Sequence, residues 1–558
     1  MLPAGASFES LASGFRWRIP DRYNIARDVC DRWARDEPDR TAIIGHSEGT
    51  VRDVTFGELR NLADRMAHRL RARGVGPGDR VGVLMTQSAA TAAAHIAIWK
   101  LGAVSMPLSR LFGEDGLAVR LSDAGVRAMI VDGEDLASLR GAISRMPNSV
   151  DVLTPDGSQE QWSDRPTDPV ESADTSAEDP AILMYTSGTT GTPKGALHAH
   201  RVLLGHLPGI EISHDLLPQP GDVIWTPADW SWIGGLLDVL MPGLHHGIPV
   251  VASRFRKFTG EATRMLIEDA GVRCVFFPPT ALRMLRAEDC RITGLRSVAC
   301  GGEPLGAEML DWGQAAFGVG INEFYGQTEC NMIVSSSGAL FPHRPGWTGR
   351  PVPGHEVAVV DGNGIPIVGS EGEIAVRKGT PVMMLGYWKR PEATREKFRD
   401  DWMLTGDLGI SDGEFIRFLA RRDDVITSAG YRIGPVEIED CLLTHDAVAS
   451  VGVTGKPDPE RTEIVKAYVV LRDGVAADET TASALKTHVR SRFAAHAFPR
   501  EVEFVDSLPM TVTGKIRRSV LRQRAERETD QHAATDFGQA GSGPDETGMD
   551  CTGSRKPS

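Results

Sequence analysis

Between Arg80 and Phe324 the chain alternates short apolar runs with helical stretches, and this alternation limits its fold more than any other feature. Arg80–Met85 follows the turn Gly74-Val-Gly-Pro-Gly-Asp79, Ala89–Leu101 is Ala-rich and reads as a helix, and Ala103–Leu108 and Ala128–Val131 read as strands. Ala181–Tyr185, Ile248–Ala252, Cys274–Phe277, Ser297–Cys300 and Ile321–Phe324 continue the series. Runs this short, apolar throughout and separated by helices, predict strands buried on both faces of mainly parallel α/β sheets. Further on, Glu356–Val360 and Glu373–Val376 bracket the turn signal Asp361-Gly-Asn-Gly364, which predicts a β-rich antiparallel subdomain. A boundary is expected near Arg421-Arg-Asp-Asp424. Beyond it, strand-like Ser450–Thr454, Ile464–Leu471 and Val502–Val505 and a helix at Thr481–Phe493 predict a small α+β domain.

Composition narrows the function classes. The chain has 558 residues with 61 Lys and Arg against 75 Asp and Glu, a formal charge of −14. That acidic balance disfavours nucleic acid as a partner, since phosphate contacts need clustered Lys and Arg. Seven cysteines without a CxxC pair exclude a disulfide scaffold and give no zinc pattern. Arg16, Arg18, Asp21 and Arg22 interrupt the first stretch, so no signal peptide is expected. The most apolar long window, Trp232–Ala252, contains Asp238, Pro242, His245, His246 and Pro249, so no membrane span is expected. A cytoplasmic location with free thiols is the expectation.

The segment Tyr185-Thr-Ser-Gly-Thr-Thr-Gly-Thr-Pro-Lys-Gly195 carries the most chemical information. Thr186, Ser187, Thr189, Thr190 and Thr192 supply hydroxyls, while Gly188, Gly191 and Gly195 let backbone N–H groups approach an anion. Pro193 and Lys194 follow, and the lysine adds positive charge. This suits a nucleotide polyphosphate. It is not a Walker A loop, which needs Lys followed by Ser or Thr, whereas Gly195 follows Lys194 here. A Gly/Thr loop by itself is also compatible with an ordinary surface loop.

This segment resembles the signature of the adenylate-forming (AMP-binding) superfamily of acyl-CoA synthetases, peptide-synthetase adenylation domains and luciferases, and the resemblance runs from about Tyr23 to Arg522. Ile19-Pro-Asp-Arg-Tyr-Asn-Ile-Ala-Arg-Asp-Val29 and Ala429-Gly-Tyr-Arg-Ile-Gly-Pro435 look most like short- and medium-chain acyl-CoA ligases. The resemblance implies a division into residues 1–25, an N-terminal extension; 26–421, the large AMP-binding domain; 422–524, a small mobile C-terminal domain; and 525–558, a polar Gly/Ser-rich tail expected to be disordered.

It also implies roles. Gly302, Glu303 and Pro304 would lie along adenine, and Glu323, Phe324, Tyr325, Gly326, Gln327 and Thr328 would form the adenylate loop, with Tyr325 stacking on the base. Thr328 would contact phosphate and Glu329 would bind Mg²⁺, which takes hard oxygen ligands from a carboxylate and substrate phosphates. Asp407 would accept hydrogen bonds from the ribose hydroxyls, Arg421 and Arg432 would serve the nucleotide, and Asp423 would be the hinge. Ala420 replaces the usual Gly before Arg421. Lys515, in Leu508-Pro-Met-Thr-Val-Thr-Gly-Lys515, resembles the catalytic lysine that offsets charge on the α-phosphate during adenylation. Its acetylation would remove that charge, which implies a protein lysine acetyltransferase and deacetylase as partners. Ala429, Gly430 and Tyr431 would meet CoA after a rotation of the small domain.

Trp230, Trp232, Gly235 and Gly326 would line the acyl pocket, although both tryptophans suit ordinary core packing. Gly326 stands where strict acetate enzymes carry Trp, so room for several methylenes is expected, each contributing about 0.8 kcal/mol on burial. Cys330 and Asn331 replace the residues that usually follow Glu329. The expected activity is carboxylic acid + ATP + CoA to acyl-CoA + AMP + pyrophosphate, on a short- to medium-chain acid. Acetate, aromatic or branched acids, and an adenylating enzyme that loads a carrier protein, are the alternatives. A regulatory ATP binder without chemistry is opposed by the joint presence of Lys194, Glu329, Asp407 and Lys515.

Overall fold

The computed structural model describes the chain except residues 1, 3–6, 48, 147–148, 156–167, 187–192, 254, 256, 429–430, 460, 493–496, 512–514 and 540–558, and describes residues 431–432 and 530–539 by backbone alone. The chain divides into two units: Met1–Arg422 with Thr511–Lys515, and Asp423–Met510 with Ile516–Ser558.

The first unit holds three sheets. In the seven-stranded sheet the fully buried Val104–Pro107 and Ala128–Val131 flank Arg80–Leu84 in parallel, as their uninterrupted apolar character predicts. Pro180–Thr186 continues this sheet beside Val104–Pro107, then turns back antiparallel into Lys194–Ala199. The nine-stranded sheet runs parallel through Thr41–Ser47, Val250–Ser253, Ile224–Trp225, Cys274–Phe276, Ser297–Gly301 and Ile321–Gln327. The helix Ala89–Lys100, which packs on Arg80–Leu84 and Val104–Pro107 of the seven-stranded sheet, is buried along nearly its whole length, so it is apolar all round rather than amphipathic. The third sheet is antiparallel, with Val357–Val360 beside Glu371–Arg377, which pairs in turn with Trp402–Ser411. The N-terminal helix Phe8–Gly14 packs as part of this unit, with Phe8 edge-on to Phe341 at 5.1 Å.

Two expectations change. The strand predicted to end at Phe324 continues to Gln327, because Asn331–Ser335 folds back antiparallel and satisfies its polar end. The Tyr325–Gln327 stretch is therefore strand, and only the turn to Asn331 is loop. The tail predicted to be disordered from residue 525 is helical from Arg518 to Gln539. Leu521 and Ala525 are buried and Glu528 pairs with Lys466, so this polar stretch has a docking face after all. The disorder expected for the rest of the tail falls outside the described residues.

The second unit has a mostly antiparallel sheet built on Val448–Asp458 and Thr462–Leu471, with Glu501–Phe504 added in parallel. The helices Pro435–Leu443 and Glu479–Arg492 bury Ile438, Leu442, Leu485 and Val489 in the same core. Among the described residues no helix is long and apolar enough to cross a membrane.

Candidate active site

The hairpin Pro180–Thr186/Lys194–Ala199 fixes the rim of the predicted phosphate segment. Thr186 and Lys194 face each other across it, and the Thr186 hydroxyl donates to the Lys194 carbonyl at 3.3 Å. Ser187, Gly188, Thr189, Thr190, Gly191 and Thr192, the heart of the predicted phosphate loop, lie outside the described residues. The Lys194 ammonium stands 5.4 Å over the Tyr387 ring, an attraction of a cation to the π face. The Tyr387 hydroxyl donates to Glu329 Oε1, and the Met384 N–H donates to the Glu329 carbonyl at 2.8 Å. Tyr387 thus links the basic and acidic candidates of two distant motifs. Nothing in its local sequence marks it, since it sits in the two-residue strand Gly386–Tyr387 pairing with Ala196 and Leu197.

A second cluster surrounds Asp407. Trp402–Ser411 carries Asp407 opposite Arg421 on the neighbouring strand, with Arg421 Nε 3.9 Å from Asp407 Oδ1. Tyr325 donates its hydroxyl to Asp407 Oδ2 at 2.6 Å, and Gln327 Nε2 donates to the same oxygen at 2.9 Å. Lys397 Nζ donates to Gln327 Oε1 and to the Thr405 carbonyl, both at 3.0 Å, which fixes the amide so that its NH₂ faces Asp407. The Glu373 carboxylate accepts from Gly406 N–H at 2.8 Å and pairs with Arg422. Burial raises the Asp407 pKa, opposed chiefly by Arg421. The hydroxyl of Tyr325 is raised well above an ordinary tyrosine, by burial first and by Asp407 second. Lys397 and Glu373 were not among the sequence candidates, because each acts through a partner far along the chain.

Lys515 belongs to the same unit. Its Nζ lies 3.7 Å from where a Cβ on Gly302 would stand, and Gly302 adopts φ +112°, backbone that other residues rarely take. Its backbone N–H donates to Thr511 Oγ1 at 2.9 Å. Burial and then Arg421 lower the Lys515 pKa, while Glu303 and Asp407 act against them. A cation from the end of the chain, the turn at Gly302 and the Asp407 carboxylate therefore share one site. Glu303 is ion-paired to Arg283 at 2.9 Å, and Glu323 accepts from Leu305 N–H at 2.9 Å, which pins the 301–305 turn to the neighbouring strand. Phe324 faces the core against Phe276, with ring centroids 5.2 Å apart.

Other candidates fall elsewhere. Trp230 is buried in the main core, and Trp232 meets Phe112 edge-on at 5.8 Å. A Cβ on Gly235 would come within 3.0 Å of Trp230 Cα, so this glycine permits close backbone approach. The room expected at Gly326 is not there. A Cβ would fall within 2.8 Å of Met332 N and nearer still to the Asn331 carbonyl, because the register shifts between Tyr325 and Gly326 and the two strands touch. Glycine is needed at 326 for strand contact and does not open a pocket. Asp423 begins the second unit in an exposed position. There, Tyr431–Ile433, with Tyr431 and Arg432, pairs with Ile426–Ser428, and Ala429 and Gly430 lie outside the described residues. All six cysteines among the described residues are free thiols.

The family described as "AMP-binding enzyme" matches residues 30–388, and its "AMP-binding enzyme C-terminal domain" matches residues 437–515. The chain is similar to the acetyl-coenzyme A synthetase of Bacillus subtilis, 32% identical over 90% of each chain. It is likewise 32% identical to a mitochondrial acyl-coenzyme A synthetase of Rattus norvegicus, over 91% of each chain. Among solved structures it resembles an anthranilate CoA ligase in complex with anthranoyl-AMP, with 28% identity and a TM-score of 0.83 over 93% of this chain and 99% of that one.

Proposed function

The chain belongs to the AMP-binding enzymes, the family of AMP-forming acyl-CoA synthetases, and from that premise we propose that it activates a small carboxylic acid as its adenylate and passes the acyl group to CoA. A carboxylate is a poor acyl donor because oxide leaves badly. Attack of the acid's oxygen on the α-phosphorus of ATP expels pyrophosphate and replaces that leaving group with AMP. The thiol of CoA then displaces AMP to give the thioester.

The observation that carries this reading is the gathering of Lys515, the Gly302 turn, Asp407 and Tyr325 in one place. Asp407, held by Tyr325 and Gln327, accepts the ribose hydroxyls. Lys515 neutralises charge that builds on the α-phosphate and carboxylate oxygens, a preorganised electrostatic role. Tyr325 offers its ring to adenine while its hydroxyl stays on Asp407. Thr186, Pro193 and Lys194 hold the outer phosphates with the loop between them, and Thr328 contacts the phosphate of the adenylate.

Glu329 fits Mg²⁺. Tyr387 occupies Oε1, and Oε2 takes no hydrogen bond among the described residues, so one carboxylate oxygen is left for a cation whose remaining ligands are phosphates and water. Magnesium would screen the triphosphate there. Asp423 serves as the hinge at the junction of the two units, Arg432 reaches phosphate, and the stretch 429–431 serves CoA. Acetylation of Lys515 would remove the charge and silence the first half-reaction.

A panel of acids from C2 to C10, with branched and aromatic members, scored for AMP formation with CoA present, tests the reading. Turnover that depends on acid and CoA supports it. Acid-dependent pyrophosphate release with a carrier protein but not CoA as acceptor would favour carrier loading, and no acid-dependent release at all would leave a nucleotide binder.

A further inference from the structure

The Lys515 ammonium makes no hydrogen bond or ion pair among the described residues. Two carboxylates nevertheless stand near enough for their charge to act on it, Glu303 and Asp407. Both are already engaged. Asp407 Oδ2 accepts from Tyr325 and Gln327, and its Oδ1 faces Arg421 at 3.9 Å. Glu303 Oε2 accepts from Arg283 Nη2 at 2.9 Å. The partners of Asp407 belong to the ribose site described above. Arg283 does not; it comes from the helix Pro279–Ala287.

Both ends of the Arg283–Glu303 pair are held by packing. Leu282 and Leu285, beside Arg283 in its helix, are buried in the same core as Cys300 and Leu305, which begin and end the 300–305 stretch. The Leu305 N–H donates to Glu323, which fixes that stretch from the neighbouring strand. The two side chains of the pair are 38% and 22% exposed. An ion pair open to water to that degree stabilises a fold little, so stability is a weak reason for an arginine at this place.

The charge on Lys515 supplies a stronger reason. Lys515 packs on Gly302, with its Cε 3.5 Å from where a Cβ there would stand, and Glu303 is the next residue. A carboxylate in this position without a partner of its own would draw the ammonium into an ion pair. Opposite charges attract several-fold more strongly at a partly buried site than in bulk water. The α-phosphate would then compete with Glu303 for the same cation.

We propose that Arg283 is a positioning residue for adenylation: by engaging Glu303 it leaves the Lys515 ammonium unpaired for the α-phosphate. The proposal rests on the synthetase reading and adds a residue to its first half-reaction. Arg283 acts through Glu303 and not on the substrates.

The test uses the full-length protein and whichever acid of the C2 to C10 panel gives most AMP. Acid-dependent pyrophosphate exchange is measured, with thioester formation from supplied acyl-AMP and CoA alongside. Arg283→Ala should slow exchange about 10-fold, within the coupling expected of groups in contact, and leave the second half-reaction unchanged. Arg283→Lys, which keeps a cation facing Glu303, should recover most of the exchange. The deciding comparison is a cycle with Glu303→Gln. Once that carboxylate is neutral, Arg283→Ala should cost nothing further, because no charge remains to capture Lys515. The cycle reads a ratio within each background, so a lower level set by Glu303→Gln itself does not alter it. An arginine that only braces the turn gives the same fall in both backgrounds. That equal fall, or exchange unchanged in Arg283→Ala, overturns the proposal and leaves the synthetase reading standing. Should Arg283→Ala not fold, Arg283→Gln takes its place in the same cycle. Absence of acid-dependent exchange in the wild-type protein overturns the synthetase reading and this proposal with it.

Discussion

A side chain at Gly326 distinguishes most sharply between an open acyl pocket and a filled strand contact. If this glycine floors a roomy acyl pocket, Gly326→Trp should narrow the range of acids and spare acetate. The structure gives the opposite expectation. A Cβ at 326 would sit 2.8 Å from Met332 N and closer still to the Asn331 carbonyl, against 3.4 Å or more for an ordinary contact. Even Gly326→Ala must push the strands Ile321–Gln327 and Asn331–Ser335 apart by more than half an ångström. The obstacle is backbone, which cannot swing away as a side-chain tip does. Overpacking of this kind costs about 1–3 kcal/mol. The shift is transmitted at once to Tyr325 and Gln327, the two donors on Asp407, and to Glu329 beyond the turn. Misplacing a site by about 1 Å can cost roughly 10²-fold in rate. Acid-dependent pyrophosphate exchange should therefore fall about 10²-fold in Gly326→Ala for acetate, butyrate and octanoate alike, with unfolding at lower denaturant concentration. A Gly326→Ala enzyme with wild-type exchange, or a Gly326→Trp enzyme that keeps acetate and loses only the longer acids, would refute the close-contact account.

Lys515→Ala should lose pyrophosphate exchange while still converting supplied acyl-AMP and CoA to thioester; equal loss in both assays would remove the lysine from its assigned step. Because burial lowers the Lys515 pKa, its ammonium is lost as pH rises through a value below the ordinary 10.5, so kcat/KM for ATP should begin to fall on the alkaline side before a free lysine would titrate. Asp407 has the opposite sense: its raised pKa means protonation begins above the usual 3.8 as pH falls, and ATP KM should climb on mild acidification in wild type but stay flat in Asp407→Asn. Tyr387→Phe frees Glu329 Oε1 and keeps the ring under Lys194, so it should alter the Mg²⁺ concentration needed for half-maximal exchange by several-fold while sparing the fold; an unchanged Mg²⁺ requirement would separate Tyr387 from the metal.

Much of the architecture is written locally. The buried strands from Arg80 to Ile321, the hairpin around the phosphate segment and the antiparallel pair on either side of Asp361 follow from apolar runs and turn residues that act over a few positions. Of the candidate residues, Lys194 lies in a stretch whose composition is unusual by itself, whereas Glu329, Asp407 and Lys515 were singled out only by the resemblance of their segments to the family's motifs. The strand end at Gln327 and the start of the C-terminal helix up to Glu528 were not legible, because both are stabilised by segments that pair with them from elsewhere.

What tertiary structure alone decided is which atoms face which. Tyr387 reaches Glu329 across 58 residues, Lys397 fixes Gln327 across 70, and Asp238 meets Asn331 across 93. No local pattern encodes such partners, since a tyrosine, a lysine or an aspartate has the same propensity whether its neighbour is solvent or a buried carboxylate. Gly326 shows the limit most clearly. Its missing side chain suggests open space along the chain, and only the neighbouring strand reveals that the space is already filled by backbone.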